Sequence, residues 1–289
     1  MTPNFLYIGP DKAGSSWLHE VLKTHPLVFM PDAKDLYFFD RYYDRGLSWY
    51  LGLFAPAGPQ HLVVGEVCQD YLFHADAAVR ISSTLGDGVR LMVTLRDPAD
   101  RAFSSYLYAL KQGEQHGTFL EALDSPGLRL LEHGRYASSL EPYLARFGRE
   151  SLHVAVFDDL VADPQRFIDG LLTFLRLPPM TLTAEQMAAQ LPAGRARSVW
   201  LARAVRKASD VARERGAANI IGRVKRSPLV QRTLYTPLSA GKPAMTAHER
   251  LAVQRALAPE VAKLDRLFGL GLAERWGWQS AVTATGGAG

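Results

Sequence analysis

A chain of 289 residues with 47% apolar and 21% charged residues can bury one sizeable core, which argues against disorder over most of its length and makes a single α/β domain the expectation. Its one cysteine, Cys68, excludes a disulfide framework and a cysteine-rich zinc site and fits a reducing compartment. The net charge of +4 is uneven: between Arg195 and Arg232 eleven Arg or Lys face two acids, Asp210 and Glu214, a local +9 that leaves −5 for the remainder.

The first predicted element is a strand, Phe5 to Ile8, too short for a secretory core and with no basic leader, so a cytoplasmic protein is expected. A helix follows from about Ser15 to Lys23 and stops at His25-Pro26. Leu62 to Gly65 reads as a short buried strand and Asp76 to Leu85 as a helix. Arg90 to Leu95 is a strongly apolar strand, and Pro98 then occupies a favoured first helical position in a helix running to about Gln112. Ser138 to Phe147 is an amphipathic helix, Leu152 to Phe157 a strand, and Pro164 to Leu175 a helix. Strands alternating with helices point to a mainly parallel sheet covered on both faces, a three-layer α/β sandwich. Beyond Pro179 strand signals fade, giving a core over residues 4–180, a helical and basic region over 181–280, and a frayed Gly-rich tail over 283–289. No apolar run of about 18 residues is present, so no spanning helix is expected.

Between the first strand and the first helix lies Gly9-Pro-Asp-Lys-Ala-Gly-Ser-Ser-Trp17. Glycines five apart, small residues at 13 to 16 and a following helix N-terminus form a loop whose backbone N–H groups can cradle an anion. A nucleoside-triphosphate loop places lysine directly after the second glycine. Here that position is Ser15 and the lysine is Lys12. The strand at 90–95 is followed by a cation, Arg96, where an ATP–magnesium site prefers a carboxylate. The pattern suits an anion held without a metal. A second anchor is Arg96 with Ser104 eight residues on, about two turns into the next helix.

Lys12-Ala13-Gly14-Ser15-Ser16-Trp17 resembles the 5′-phosphosulfate loop of sulfotransferases that use 3′-phosphoadenosine-5′-phosphosulfate (PAPS), with serines for the usual threonines. Thr94 to Ser105 resembles the same family's 3′-phosphate motif. Gly65-Glu66 through Tyr71-Leu72, Gly134 to Ala137, Phe157 to Pro164 and Trp276 fit it too. The likeness is closest to bacterial members related to the glycosaminoglycan-type enzymes. It implies a P-loop-like fold with PAPS as co-substrate and no metal. It implies that the backbone of residues 13–17 and the Ser15 and Ser16 hydroxyls hold the 5′-phosphate. Lys12 would contact the oxygen bridging phosphate to sulfate, and Arg96 and Ser104 the 3′-phosphate. Lys34-Asp-Leu-Tyr-Phe-Phe-Asp40 resembles the segment whose glutamate is the family's proposed base, which puts Asp35 in that role with a shorter reach. Glu66, at the end of a buried strand, is the reserve base, with His25 and His74 as lesser alternatives.

Tyr37, Phe38, Phe39, Tyr42, Tyr43, Trp49 and Tyr50 form either core or the wall of an acceptor pocket. The acceptor implied is a small molecule, glycan or natural product with a hydroxyl, an amine being the lesser alternative. The basic segment 195–232 reads as a solvated amphipathic face, a lid over the donor, or a surface for an acidic acceptor or anionic membrane. No nucleic-acid motif accompanies its charge. A P-loop small-molecule kinase and a non-catalytic nucleotide-binding or membrane-peripheral module are the rival readings. Neither the acceptor nor the oligomeric state is set by the sequence.

Overall fold

The computed structural model describes residues 1–114, 116–188, 194–196, 235–237, 243–279 and 281. In chain order the elements are β1 (Phe5–Gly9), α1 (Ser15–Leu22), β2 (Val28–Phe29), α2 (Leu47–Gly52), β3 (Val63–Val67), α3 (Ala77–Leu85), β4 (Arg90–Leu95), α4 (Pro98–Lys111), α5 (Phe119–Leu123), α6 (Tyr136–Phe147), β5 (Leu152–Val156), α7 (Phe157–Ala162), α8 (Pro164–Leu175), α9 (Ala184–Ala188), β6 (Gly194–Ala196), β7 (Tyr235–Pro237), α10 (Ala247–Phe268) and α11 (Leu272–Arg275). The chain divides into two compact units, one of Met1–Leu95 with Leu144–Ala240, the other of Arg96–Tyr143 with Gly241–Gly289.

The first unit is built on a five-stranded sheet in the order β2-β3-β1-β4-β5, parallel at every pairing. All five residues of β1 and of β3 are buried, as expected for central parallel strands covered on both faces. Alternation sorts their side chains. Phe5, Tyr7, Val63, Val67 and Met92 join the core formed with Trp17, Leu18, Val21 and Leu22 of α1 and Phe167, Ile168, Leu171, Leu172 and Leu175 of α8. Each fully buried Leu, Ile or Phe there contributes about 1.5–3 kcal/mol relative to exposure. Glu66 faces the opposite side, where it meets Tyr50 of α2 and Tyr71. α8 starts where the sequence places it, because Asp163 accepts the Arg166 N–H at 2.9 Å and Pro164 opens the first turn.

The second unit is helical. Asp97 caps α4, accepting the Ala99 N–H at 2.7 Å and the Asp100 N–H at 3.3 Å. α10 opens with a capping box between Thr246 and Glu249. Its buried Val253, Leu257, Val261 and Leu264 form one stripe. A Cβ at Gly134 would collide with the Leu257 side chain, so the glycine lets α10 pack closely. Glu260 takes the Ser138 N–H at 3.0 Å and its hydroxyl at 2.6 Å, supplying the first turn of α6 with acceptors.

The expected parallel sheet flanked by helices is what forms. It differs in detail, with α2, α5 and α7 added to the helices expected and α6 starting at Tyr136. β3 runs to Val67 rather than stopping at Gly65, carrying Glu66 inside the strand. β2 adds a fifth strand at the edge. Phe157 leaves β5 to start α7. Past Pro179, β6 and β7 pair antiparallel, a ladder absent from the sequence reading. The basic segment 195–232, apart from the backbone of residues 195 and 196, and the tail 283–289 lie outside the described residues.

Candidate active site

The loop from Gly9 to Trp17 joins β1 to α1 in the first unit. Gly9 sits at φ +142°, and a Cβ there would lie 2.6 Å from the Gln69 carbonyl oxygen. Gly14 sits at φ +85°, and a Cβ would lie 2.5 Å from Cδ2 of Leu160. Both glycines are therefore demanded by conformation and by close approach. The Tyr7 hydroxyl donates to the Pro10 carbonyl at 3.1 Å and pins the loop to its strand. Lys12, half-buried, holds φ +60°, a left-handed conformation costly for a residue with a side chain.

Gly14 is the N-cap of α1 and offers no side chain, while its carbonyl accepts the Leu18 N–H at 3.0 Å. The N–H groups of Ser15, Ser16 and Trp17 precede the first i→i−4 donor, so they are available to an anion at the positive end of the helix dipole. Ala13 and Ser15 are buried and Ser16 is half-buried. Trp17 is anchored from behind: its ring packs edge-on against Phe167 and its indole N–H donates to the Gln186 carbonyl at 2.8 Å.

Asp35 stands in the loop after β2 with only 7% of its surface exposed. Its N–H donates to the Val67 carbonyl at 2.7 Å, and its Oδ1 accepts the Gln69 N–H at 3.3 Å. Its backbone is left-handed at φ +57°, as is that of Tyr37. Lys34 connects this carboxylate to the Gly9–Trp17 loop, with Nζ 3.3 Å from Asp35 Oδ2 and donating to Ser15 Oγ at 3.0 Å. Of the five described non-glycine residues with positive φ, Lys12, Asp35 and Tyr37 lie in these two loops, strain of the kind that collects at functional sites.

Glu66 is fully buried on β3. Its Oε1 accepts the hydroxyls of Tyr50 at 2.7 Å and Tyr71 at 3.1 Å, and its Oε2 has no partner among the described residues. Burial pushes its carboxyl up to about 8 against the pull of the two phenols. Tyr71 in turn accepts the Phe38 N–H at 3.0 Å, which ties Glu66 to the Lys34–Asp40 loop. Phe38, Phe39 and Tyr50 are buried, Phe38 stacked on Tyr50 and Phe39 edge-on to both, whereas Tyr37, Tyr42, Tyr43 and Trp49 are half-buried. Arg41 lies 3.9 Å over the Tyr37 ring and pairs with Asp70. His25 uses both ring nitrogens on the backbone of Leu27 and Pro178. His74 Nδ1 accepts the Asp76 N–H at 3.3 Å.

Arg96 and Ser104 belong to the second unit, both half-buried. Burial pulls the Arg96 guanidinium below its usual value, with Asp100, Tyr136 and Asp97 acting the other way. Directly after it, Asp97 Oδ2 accepts from Arg250 at 2.7 Å and from the Trp278 indole at 3.3 Å, and Arg250 also grips Asp100. Burial, then the neighbouring Asp100, raises the Asp97 carboxyl, and Arg250 opposes them.

Residues 2–205 match the family described as the sulfotransferase domain. The chain belongs to that family. A heparan sulfate glucosamine 3-O-sulfotransferase 3A1 of Mus musculus is 33% identical over 184 residues, covering 61% of this chain and 46% of that protein. This sulfotransferase-family chain thus spans about half the length of the curated relatives it matches. Among solved structures, a sulfotransferase from Alicyclobacillus acidocaldarius aligns with TM-score 0.66 at 22% identity, covering 93% of this chain and 96% of that one. A mouse sulfotransferase, SULT7A1, complexed with PAP aligns with TM-score 0.51 at 11% identity, over 97% of this chain and 89% of that one. These two likenesses are of fold.

Sequence reasoning treated Lys34 only as a neighbour of Asp35 and missed Arg250 and Trp278. Lys34 had a visible signal, a lysine opening the very segment that carries Asp35, the residue read as a candidate base. Arg250 and Trp278 had none, since they reach Asp97 across 153 and 181 residues of chain. Among the described residues no group of three or more His, Cys, Asp or Glu is placed to hold a metal ion, and no helix is long and apolar enough to cross a membrane.

Proposed function

We propose that this chain transfers a sulfuryl group from PAPS to a hydroxyl of a glycan or small-molecule acceptor, in line and without a metal. One observation carries the reading: a phosphate loop capped by Gly14 at a helix N-terminus, with serine at position 15 and the lysine held in a strained backbone at position 12. A triphosphate loop needs the lysine after the second glycine. The donor set fits an anionic nucleotide: first-turn N–H groups ahead of the i→i−4 ladder, two serine hydroxyls and an ammonium. The name of the mouse relative, a glucosamine 3-O-sulfotransferase, supports a sugar hydroxyl as acceptor.

In this reading the first-turn N–H groups, Ser15 and Ser16 hold the 5′-phosphate, and Arg96 and Ser104 the 3′-phosphate. Lys12 stabilises the charge that develops on the leaving phosphate oxygen. Asp35 takes the acceptor proton. Glu66 serves as an anchor of the loop that presents Asp35, because its one bonded oxygen is committed to two phenols and burial keeps its proton on at neutral pH. The charge of segment 195–232 suits an anionic acceptor.

Thermal-shift titration with 3′-phosphoadenosine-5′-phosphate (PAP) against ATP–magnesium tests the donor class. Ligand at a hundred times its Kd adds about 2.7 kcal/mol of stability. Stabilisation by PAP alone is expected, and stabilisation by ATP–magnesium alone would replace this reading with a kinase. Transfer of labelled sulfate from PAPS to a heparan-type oligosaccharide then separates an enzyme from a nucleotide-binding module.

A further inference from the structure

Lys34 stands between the two halves of the proposed chemistry. Its Nζ donates to Ser15 Oγ at 3.0 Å and lies 3.3 Å from Asp35 Oδ2. An ammonium has donors only, so Ser15 Oγ is the acceptor and the hydroxyl's own proton is left for another partner. The lysine is held in place by its neighbour, since Asp35 is clamped at both its N–H and its Oδ1 and has a left-handed backbone. Adding to burial, the Asp35 carboxylate in turn raises Tyr37 and Asp40 of its own loop and Glu66 and Cys68 on and just after β3.

We propose that Lys34 is a positioning residue for the donor's 5′-phosphate, turning the Ser15 hydroxyl proton toward it and adding positive charge that Asp35 holds in check. The inference rests on the sulfotransferase reading and deepens it. While Asp35 is ionised, it compensates much of the Lys34 charge. When Asp35 takes a proton from the acceptor oxygen, that compensation ends, and the ammonium acts fully on Ser15 and the phosphate beyond it. Charge arrives at the phosphate end as the leaving oxygen comes to need it. No atom is consumed: the proton passes from acceptor to carboxylate, and Lys34 keeps all of its own.

Calorimetric binding to the full chain tests this with PAP and with adenosine 3′-monophosphate, which lacks the 5′-phosphate. Lys34→Met should weaken PAP about tenfold, a typical loss for one charge-assisted contact, and leave adenosine 3′-monophosphate within about twofold. Lys34→Arg should recover most of the loss. Asp35→Asn should tighten PAP in the presence of Lys34 and have no effect in the Lys34→Met background, a coupling read by the double-mutant cycle. Equal losses for both ligands in Lys34→Met, or none, would overturn the assignment. An Asp35→Asn effect that survives without Lys34 would overturn the coupling. Failure of the unaltered chain to bind PAP would instead remove the sulfotransferase reading, and Lys34's role with it.

Discussion

Lys12 holds a left-handed backbone that an unconstrained lysine avoids, and strain of this kind costs on the order of 1–3 kcal/mol. Its ammonium is the group proposed at the leaving oxygen. Lys12→Ala should therefore lower sulfuryl transfer by on the order of 10²–10³-fold, the loss seen when one stabiliser of developing charge is removed. Turnover within a few-fold of the unaltered chain would remove Lys12 from that role. Lys12→Gly should be as inactive yet more stable than Lys12→Ala, because glycine relieves the positive φ. Glu66 makes a different kind of prediction. Unfolded, its carboxyl ionises near 4.5, whereas buried on β3 it keeps its proton to about 8. Between those values the folded chain binds the extra proton. Glu66's contribution to stability is thus fully present below pH 4.5 and is lost as pH rises through 8. Glu66→Gln keeps an acceptor for Tyr50 and Tyr71 but does not titrate. The melting temperature of Glu66→Gln relative to the unaltered chain should rise steadily from pH 5 to pH 8. A difference that stays constant would show that the carboxyl ionises alike in both states.

Helix ends decide where the second unit is strong. Asp97 caps α4 with one oxygen and receives Arg250 and Trp278 with the other, so α10 and Trp278 are fastened to the helix that follows Arg96. Asp97 is nearly buried and Arg250 about a third exposed. Arg250→Met should therefore cost about 2 kcal/mol, less than for a fully buried pair. Adding Asp97→Asn should return part of that loss, since the buried charge goes while the capping oxygen stays. Urea midpoints of the two variants check both statements, and a double variant weaker than the single would refute the account. The same elements show what a sequence exposes. α8 and β4 were legible to the residue, because Pro164 and Asp163 mark a helix start and Leu91–Leu95 is apolar but for Thr94. β2 was not, since Val28–Phe29 is too short for any period to show. β3 was cut short at Gly65 because a glutamate rarely sits fully buried inside a strand. The turn from Gly9 to Trp17 was legible from its glycines, which answer to local conformation. The Lys34–Ser15 bond and the Arg250 clamp were not, because they are made by folding residues together that lie 19 and 153 apart.

At the scale of the whole molecule the charge is divided rather than spread. Segment 195–232 carries a local +9 and the rest of the chain −5. A field of that sign raises the local concentration of an anionic acceptor and weakens steeply with salt, since the screening length is about 8 Å at physiological ionic strength. The donor is anionic too, so attraction alone does not say which partner the segment serves. Replacing Arg203, Arg206, Lys207, Arg213 and Arg215 by glutamine separates them. With the segment serving the acceptor, affinity for a heparan-type oligosaccharide should fall on the order of tenfold at low salt and its dependence on salt should flatten. The Kd for PAP should stay within about twofold, because the proposed donor contacts come from the phosphate loop, Arg96 and Ser104. A PAP affinity that falls while oligosaccharide binding holds would make the segment a cover for the donor. The two outcomes move different ligands, so a pair of titrations on one variant decides between them.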